Sequence, residues 1–85
     1  MEATFRVRVL TAERTVLDAE VVSLQARGSQ GFFGVLAHHA PFITALTPGP
    51  LTLKYPGGRR EVLQVGAGCF EVSGNHAVVL ADTVS

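Results

Sequence analysis

Apolar residues in this chain recur at every second position in short runs, and no segment shows a 3.6-residue period, which commits the backbone to strands rather than helices. The clearest run is Thr4 to Thr11, TFRVRVLT, where Phe5, Val7 and Val9 fall on one face and Arg6 and Arg8 on the other. Ala12 to Arg14 is a polar break. Thr15 to Arg27 then resumes short spacing, with Val22, Leu24 and Ala26 opposite Ser23, Gln25 and Arg27, and holds one or two strands. Gly28-Ser29-Gln30-Gly31 is turn chemistry, and Phe32 to Leu36 is a short aromatic and β-branched strand in which Gly34 is expected to mark a bulge or a close backbone approach. Consecutive Phe32 and Phe33 should point to opposite faces, one inward and one toward solvent or a partner, although a core role for both also fits.

The second half is punctuated more tightly. Pro41 and Pro48-Gly49-Pro50 bracket Phe42 to Leu46, leaving too little chain for a stable helix. Leu51, Leu53 and Tyr55 alternate with Thr52 and Lys54 up to Pro56-Gly57-Gly58, a hairpin turn that returns into Arg59 to Val65. Gly66 and Gly68 flank a bend before Cys69 to Ser73, Gly74-Asn75 supplies another turn, and His76 to Ala81 makes a last strand. The sum is about eight to ten short strands, the pattern of an antiparallel sandwich or barrel. No linker, repeat or low-complexity tract divides the chain, so residues 1–85 read as one domain.

A domain this short buries only about 60 to 65% of the surface its unfolded chain exposes. Its residues are 47% hydrophobic and 16% charged, so some apolar surface is expected to face a partner. Seven basic and seven acidic residues cancel, which builds no field for nucleic acid or an anionic membrane. Cys69 has no disulfide partner and reads as a buried free thiol. The N-terminus has no charged segment followed by an apolar run, and no stretch approaches the roughly 18 apolar residues of a membrane span, so the chain itself is expected to be soluble.

Catalytic readings start and end at His38-His39. Adjacent residues on an extended chain point apart and cannot share one metal, and neither a carboxylate nor Cys69 forms a recognisable partnership with them. Gly28, Gly31 and Gly34 lead into a strand rather than a helix and lack a Gly-Lys-Ser/Thr ending, so they are turn glycines and not a phosphate loop. Lys54, the only lysine, precedes Pro56 rather than occupying a turn tip, which disfavours a swinging-arm carrier.

From Gly28 to Gly49 the sequence GSQGFFGVLAHHAPFITALTPG contains Gly31-x-x-Gly34, the aliphatic pair Val35-Leu36, two variable residues, His39-Ala40-Pro41 and Thr44-Ala45-Leu46-x-Pro48-Gly49. In this order the elements resemble the signature of F-type ATP synthase epsilon subunits. The likeness continues through Ala19-Glu20-Val21-Val22, Val65-Gly66-Ala67-Gly68, Phe70-Glu71-Val72 and Val79-Leu80-Ala81-Asp82-Thr83, nearly the whole chain. The resemblance implies an all-β fold, a flattened antiparallel sandwich of about ten short strands in two five-stranded sheets. It implies a non-catalytic rotor subunit of the central stalk, without cofactor or metal, that links the gamma subunit to the membrane c-ring and supports coupling of proton or sodium flow to ATP synthesis. Its expected location is the cytoplasmic face of the bacterial inner membrane, as a peripheral part of the complex.

Carried over by position, the resemblance implies a gamma-subunit interface at Thr11, His39, Ala40 and Pro41, and a c-ring interface at Ser29, Gln30, Gly31 and Phe32. Many family members carry acidic residues in that second loop; Gln30 and Phe32 stand here instead, which implies a more apolar junction. Family members usually continue after Ala81-Asp82-Thr83 into a helical hairpin that regulates ATP hydrolysis, whereas the sequence here ends at Ser85; in a naturally short member that regulation would not operate and no ATP site would be assigned, and in a piece of a longer subunit the hairpin lies beyond Ser85. Two other readings stand beside this one: a stand-alone ligand-binding β-sandwich, which requires a concave aromatic pocket, and a small enzyme centred on His38 or His39, which requires a perturbed titratable group in a cleft.

Overall fold

A computed structural model describes residues 2–85, and among them the chain forms nine strands and no helix. These are β1 (Phe5–Leu10), β2 (Thr15–Val21), β3 (Ser23–Gly28), β4 (Gly31–Leu36), β5 (Phe42–Leu46), β6 (Gly49–Lys54), β7 (Arg60–Val65), β8 (Gly68–Ser73) and β9 (His76–Ala81). The hydrogen-bonded path runs β2-β1-β9-β8-β5-β3-β6-β7, with β4 on the other side of β3. It turns a corner between β5 and β3, where only Gly28 and Leu46 are in register, flanked by the Ser29 N–H to Ala45 carbonyl bond (3.0 Å) and the Thr47 N–H to Arg27 carbonyl bond (3.1 Å). The corner separates a five-stranded layer, β2-β1-β9-β8-β5, from a four-stranded one, β4-β3-β6-β7.

The all-β expectation holds, with differences of detail from ten antiparallel strands in two equal sheets. The tenth element is reduced to a single bridge, Val84 to Val65, stabilised by two bonds of 2.8 Å between Gln64 and Ser85 and one of 2.9 Å from Gly66 N–H to the Thr83 carbonyl. One pair is parallel, β1 with β9, which brings the first and last strands side by side. Thr15 to Arg27 divides into two strands at Val22, whose N–H is carried across to the Lys54 carbonyl (2.7 Å), so the chain passes there from one layer to the other.

The alternation read in the sequence sets the core. Phe5, Val7 and Val9 of β1, Phe70 and Val72 of β8, and Ala77, Val79 and Ala81 of β9 are buried from one layer; Leu24, Ala26, Val35, Leu51, Leu53 and Val65 are buried from the other. They form one cluster, with no buried polar side chain among the described residues, so cohesion rests on apolar burial of about 1.5–3 kcal/mol per large side chain.

Two local expectations change. Gly34 lies in regular register opposite Gln25, and a Cβ there meets only the Leu24 carbonyl oxygen, at an ordinary 3.9 Å, so it marks neither a bulge nor a close approach. The irregularity falls instead between Val9 and Leu10. The close approach belongs to the Gly66 to Gly68 bend, where a methyl on Gly68 would overlap the Leu80 main chain and one on Gly66 would overlap the Asp82 side chain. Cys69 is exposed rather than buried, because Phe70 and Val72 take the inward phase of β8 and leave Cys69 on the outer face.

Candidate partner-binding surface

Alternation also decides which way the aromatic pair of β4 points. The inward position goes to Phe33, which packs edge-on against Phe42 (centroids 5.5 Å, 63°) and tilted against the fully buried Phe70 (5.0 Å); Phe42 and Phe70 lie 6.3 Å apart. The outward position goes to Phe32, which is 62% exposed. Ser29, Gln30, Gly31 and Phe32 are thus gathered at the β3–β4 hairpin tip, all exposed and without a charge, against a groove completed by Phe42 to Ala45 of β5. Gly31 takes φ +114°, a conformation side chains rarely adopt, so the tip requires a glycine there.

The β4–β5 loop contributes His39, Ala40 and Pro41. His38 does not follow the extended geometry expected of it: φ is +64°, and its N–H donates to Asn75 Oδ1 at 2.7 Å. His39 Nδ1 lies 2.6 Å from the Ala40 carbonyl oxygen. A carbonyl only accepts, so Nδ1 carries the proton and a neutral ring leaves Nε2 free as an acceptor. The His39 ring is half-buried beside Phe42 (5.9 Å), which joins this loop to the aromatic cluster beneath the hairpin tip. Phe42 and Phe70 were not singled out from sequence; the inward phase of β5 and β8 was the available signal.

Thr11 stands elsewhere. Its N–H donates to the Arg14 carbonyl (2.9 Å) and its hydroxyl oxygen accepts from Glu13 N–H (3.3 Å), so the side chain also shapes the β1–β2 turn. Leu10 pairs with Leu80 at one end of the layer, whereas β5 begins at Phe42, in register with Val72 and Ala77, toward the other end. Four residues of strand rise and three interstrand steps therefore put about 19 Å between Thr11 and the start of β5. What spans the interval is an outward apolar row, Leu10, Leu80, Cys69 and Ala45, in register across β1, β9, β8 and β5, with Ile43 (68% exposed) next along β5.

Among the described residues no group of three His, Cys, Asp or Glu side chains is placed to hold a metal, and the hairpin-tip groove carries no titratable side chain. Tyr55, whose phenol is pushed up first by burial and then by its bond to Glu61, belongs to the β6–β7 hairpin and not to these loops.

Residues 4–85 match the family described as ATP synthase, Delta/Epsilon chain, beta-sandwich domain. The chain belongs to this family. Every strand, both loops and the outward row fall inside the matched span. Among relatives, the "ATP synthase epsilon chain" of Psychrobacter sp. (strain PRwf-1) is 42% identical over 81 residues, covering 95% of this chain and 59% of that protein. That of Anaeromyxobacter sp. (strain K) is 47% identical over 75 residues, covering 88% and 56%. The chain thus spans 56% to 59% of the length of these epsilon chains. In solved structures its fold recurs, at 22% identity, in the Euglena gracilis mitochondrial ATP synthase OSCP/F1/c-ring assembly, with TM-score 0.93 over 100% of this chain and 54% of that one. It recurs at 13% identity in the Tetrahymena thermophila mitochondrial ATP synthase central stalk/c-ring, with TM-score 0.82 over 99% and 67%. These two likenesses carry the delta/epsilon β-sandwich fold.

Proposed function

We propose that this chain is the β-sandwich part of an epsilon subunit of a proton-translocating F-type ATP synthase, a non-catalytic piece of the central stalk that links the gamma subunit to the membrane c-ring. The observation that carries the reading is the family match over residues 4–85, supported by epsilon chains 42% and 47% identical over nearly the whole of this chain. In this role the chain works as a stiff spacer that turns with its partners and helps couple ion flow to ATP synthesis at the cytoplasmic face of the bacterial inner membrane.

The geometry gives the two contacts different characters. Ser29, Gln30, Gly31 and Phe32 offer the c-ring an uncharged, protruding tip, so that junction works by burying Phe32 rather than by ion pairing. Thr11 and the His39-Ala40-Pro41 loop, assigned to the gamma subunit, lie too far apart for a compact contact. A gamma segment that reaches both must run across the outward row of Leu10, Leu80, Cys69 and Ala45. That row is apolar, half-buried at Leu10 and exposed at Leu80, Cys69 and Ala45, as a docking face requires.

Pull-down of native complexes by the tagged chain, expressed in its source cells, tests the reading. The wild-type chain is expected to recover gamma and c-ring subunits, Phe32→Glu to lose the c-ring contact, and His39→Ala to weaken recovery of gamma. Recovery of the chain alone or with unrelated proteins would sink the rotor reading; undiminished assembly by Phe32→Glu would sink the apolar junction alone.

A further inference from the structure

Asn75 ties together three segments that are distant in sequence. It is the second residue of the two-residue turn between β8 and β9, where Gly74 (φ +56°) and Asn75 (φ +63°) are both left-handed, the geometry of a primed hairpin turn. Its main-chain carbonyl accepts from Arg6 N–H at 3.2 Å. Its side chain reaches in two directions, Oδ1 accepting from His38 N–H at 2.7 Å and Nδ2 donating to the Thr4 carbonyl at 2.9 Å. A main-chain N–H only donates and a main-chain carbonyl only accepts, so the two contacts permit one orientation of the amide.

The bond to His38 falls at a strained point. His38 holds φ +64°, a region that residues other than glycine enter at a cost and keep only when their surroundings enforce it. The next residues are His39, Ala40 and Pro41, and His39 is steadied by its contact with Ala40 and its packing on Phe42. Without the acceptor on Asn75, His38 is free to relax to negative φ and swing the following residues off the strand end.

We propose that Asn75 is a positioning residue for the partner contact: it fixes the left-handed His38 and thereby presents His39-Ala40-Pro41 in the shape the partner binds. The identity of that partner as the gamma subunit rests on the reading above, whereas the ordering of the loop is a property of the free chain.

Two substitutions separate positioning from general stability. Asn75→Gly keeps the left-handed turn and removes both side-chain bonds. Asn75→Asp keeps the acceptor for His38 N–H and loses the donor to Thr4. Amide exchange at His38, measured on the free 85-residue chain, is expected to quicken by about tenfold or more in Asn75→Gly and to stay near wild type in Asn75→Asp. Affinity for the gamma subunit purified from the source complex should fall by about tenfold in Asn75→Gly, because the loop must be reordered on binding, and hold in Asn75→Asp. Thermal stability should fall in both variants, since both lose the Thr4 bond.

Unchanged exchange at His38 in Asn75→Gly overturns the proposal. So does binding that falls equally in both variants in step with their melting temperatures, the signature of a purely structural role. If the wild-type chain fails to bind gamma while the exchange pattern appears as expected, the rotor reading falls and takes the binding role of Asn75 with it, an outcome distinct from failure of the latch.

Discussion

Tyr55 closes the β6–β7 hairpin with both its ring and its hydroxyl. The hydroxyl donates to Glu61 at 2.7 Å, and the Arg59 guanidinium stands 4.0 Å from the ring centroid. Burial, followed by the Glu61 bond and charge, raises the phenol's pKa above its ordinary value of about 10, with Arg59 opposing. Deprotonation is therefore harder in the folded chain than in the unfolded one, so this contribution to stability is complete below the unfolded pKa and is lost as pH rises through the folded one. Denaturation midpoints measured across the alkaline range should fall for the wild type, and Tyr55→Phe should remove part of that slope; an unchanged slope would contradict the assignment. Cys69 allows a second test at this scale. Lying exposed on the outer face of β8, it should react with one equivalent of a thiol reagent without denaturant, and become protected when the outward row is covered by a partner. Resistance of the native free chain to the reagent would contradict the placement of that face.

β4 is the element on which packing and the proposed partner binding compete. Among the described residues it pairs only with β3, it carries no charge, and its outer face shows Phe32 (62% exposed) and Leu36 (65% exposed). Edge strands of soluble proteins usually carry a charge or proline that blocks pairing with another chain. Its apolar outer face suits a strand whose tip enters a junction, and it leaves the isolated domain prone to self-association. Leu36→Lys, away from the tip, should lower self-association in sedimentation at a cost to stability within about 0.5 kcal/mol, as for other exposed substitutions. Equal association of the two proteins would place the sticky surface elsewhere, Ile43 on the outer face of β5 being as exposed as Leu36. The neighbouring hairpins need no such compromise. β6–β7 turns at Gly57 and Gly58 and β8–β9 at Gly74 and Asn75, where positive φ is required, and those turns were readable from residue type alone.

For the whole molecule, the buried core and the proposed partner contacts fall on opposite faces of the same strands. A chain of this length is expected to be stable by only about 4–13 kcal/mol, so Phe70→Ala, which empties the centre of the aromatic cluster at a cost of about 3–5 kcal/mol, should remove a large share of that stability and lower the urea midpoint accordingly. Phe32→Glu should leave that titration nearly unchanged while affecting assembly; a large loss of stability from Phe32→Glu would show that the tip belongs to the core. The strands β1, β4, β6, β7, β8 and β9 and the hairpin turns were legible in the sequence, because a two-residue period and left-handed turn residues act over a few neighbours; that Phe32 and Phe33 point to opposite faces was legible too, but which of them faces outward was not. The ordered motif from Gly31 to Gly49 was enough to indicate the family. Other features depend on register between segments far apart in the chain, which no local pattern specifies: the parallel pairing of β1 with β9, the corner at Gly28 and Leu46, the crowding that demands Gly68, and the distance between Thr11 and His39. The exposure of Cys69 follows from the phase of its own strand, but only packing Phe70 and Val72 into the core decides which phase is inward. The Asn75 latch belongs with these, since it exists only because the β8–β9 turn comes to lie against His38 and Thr4 once the layers close.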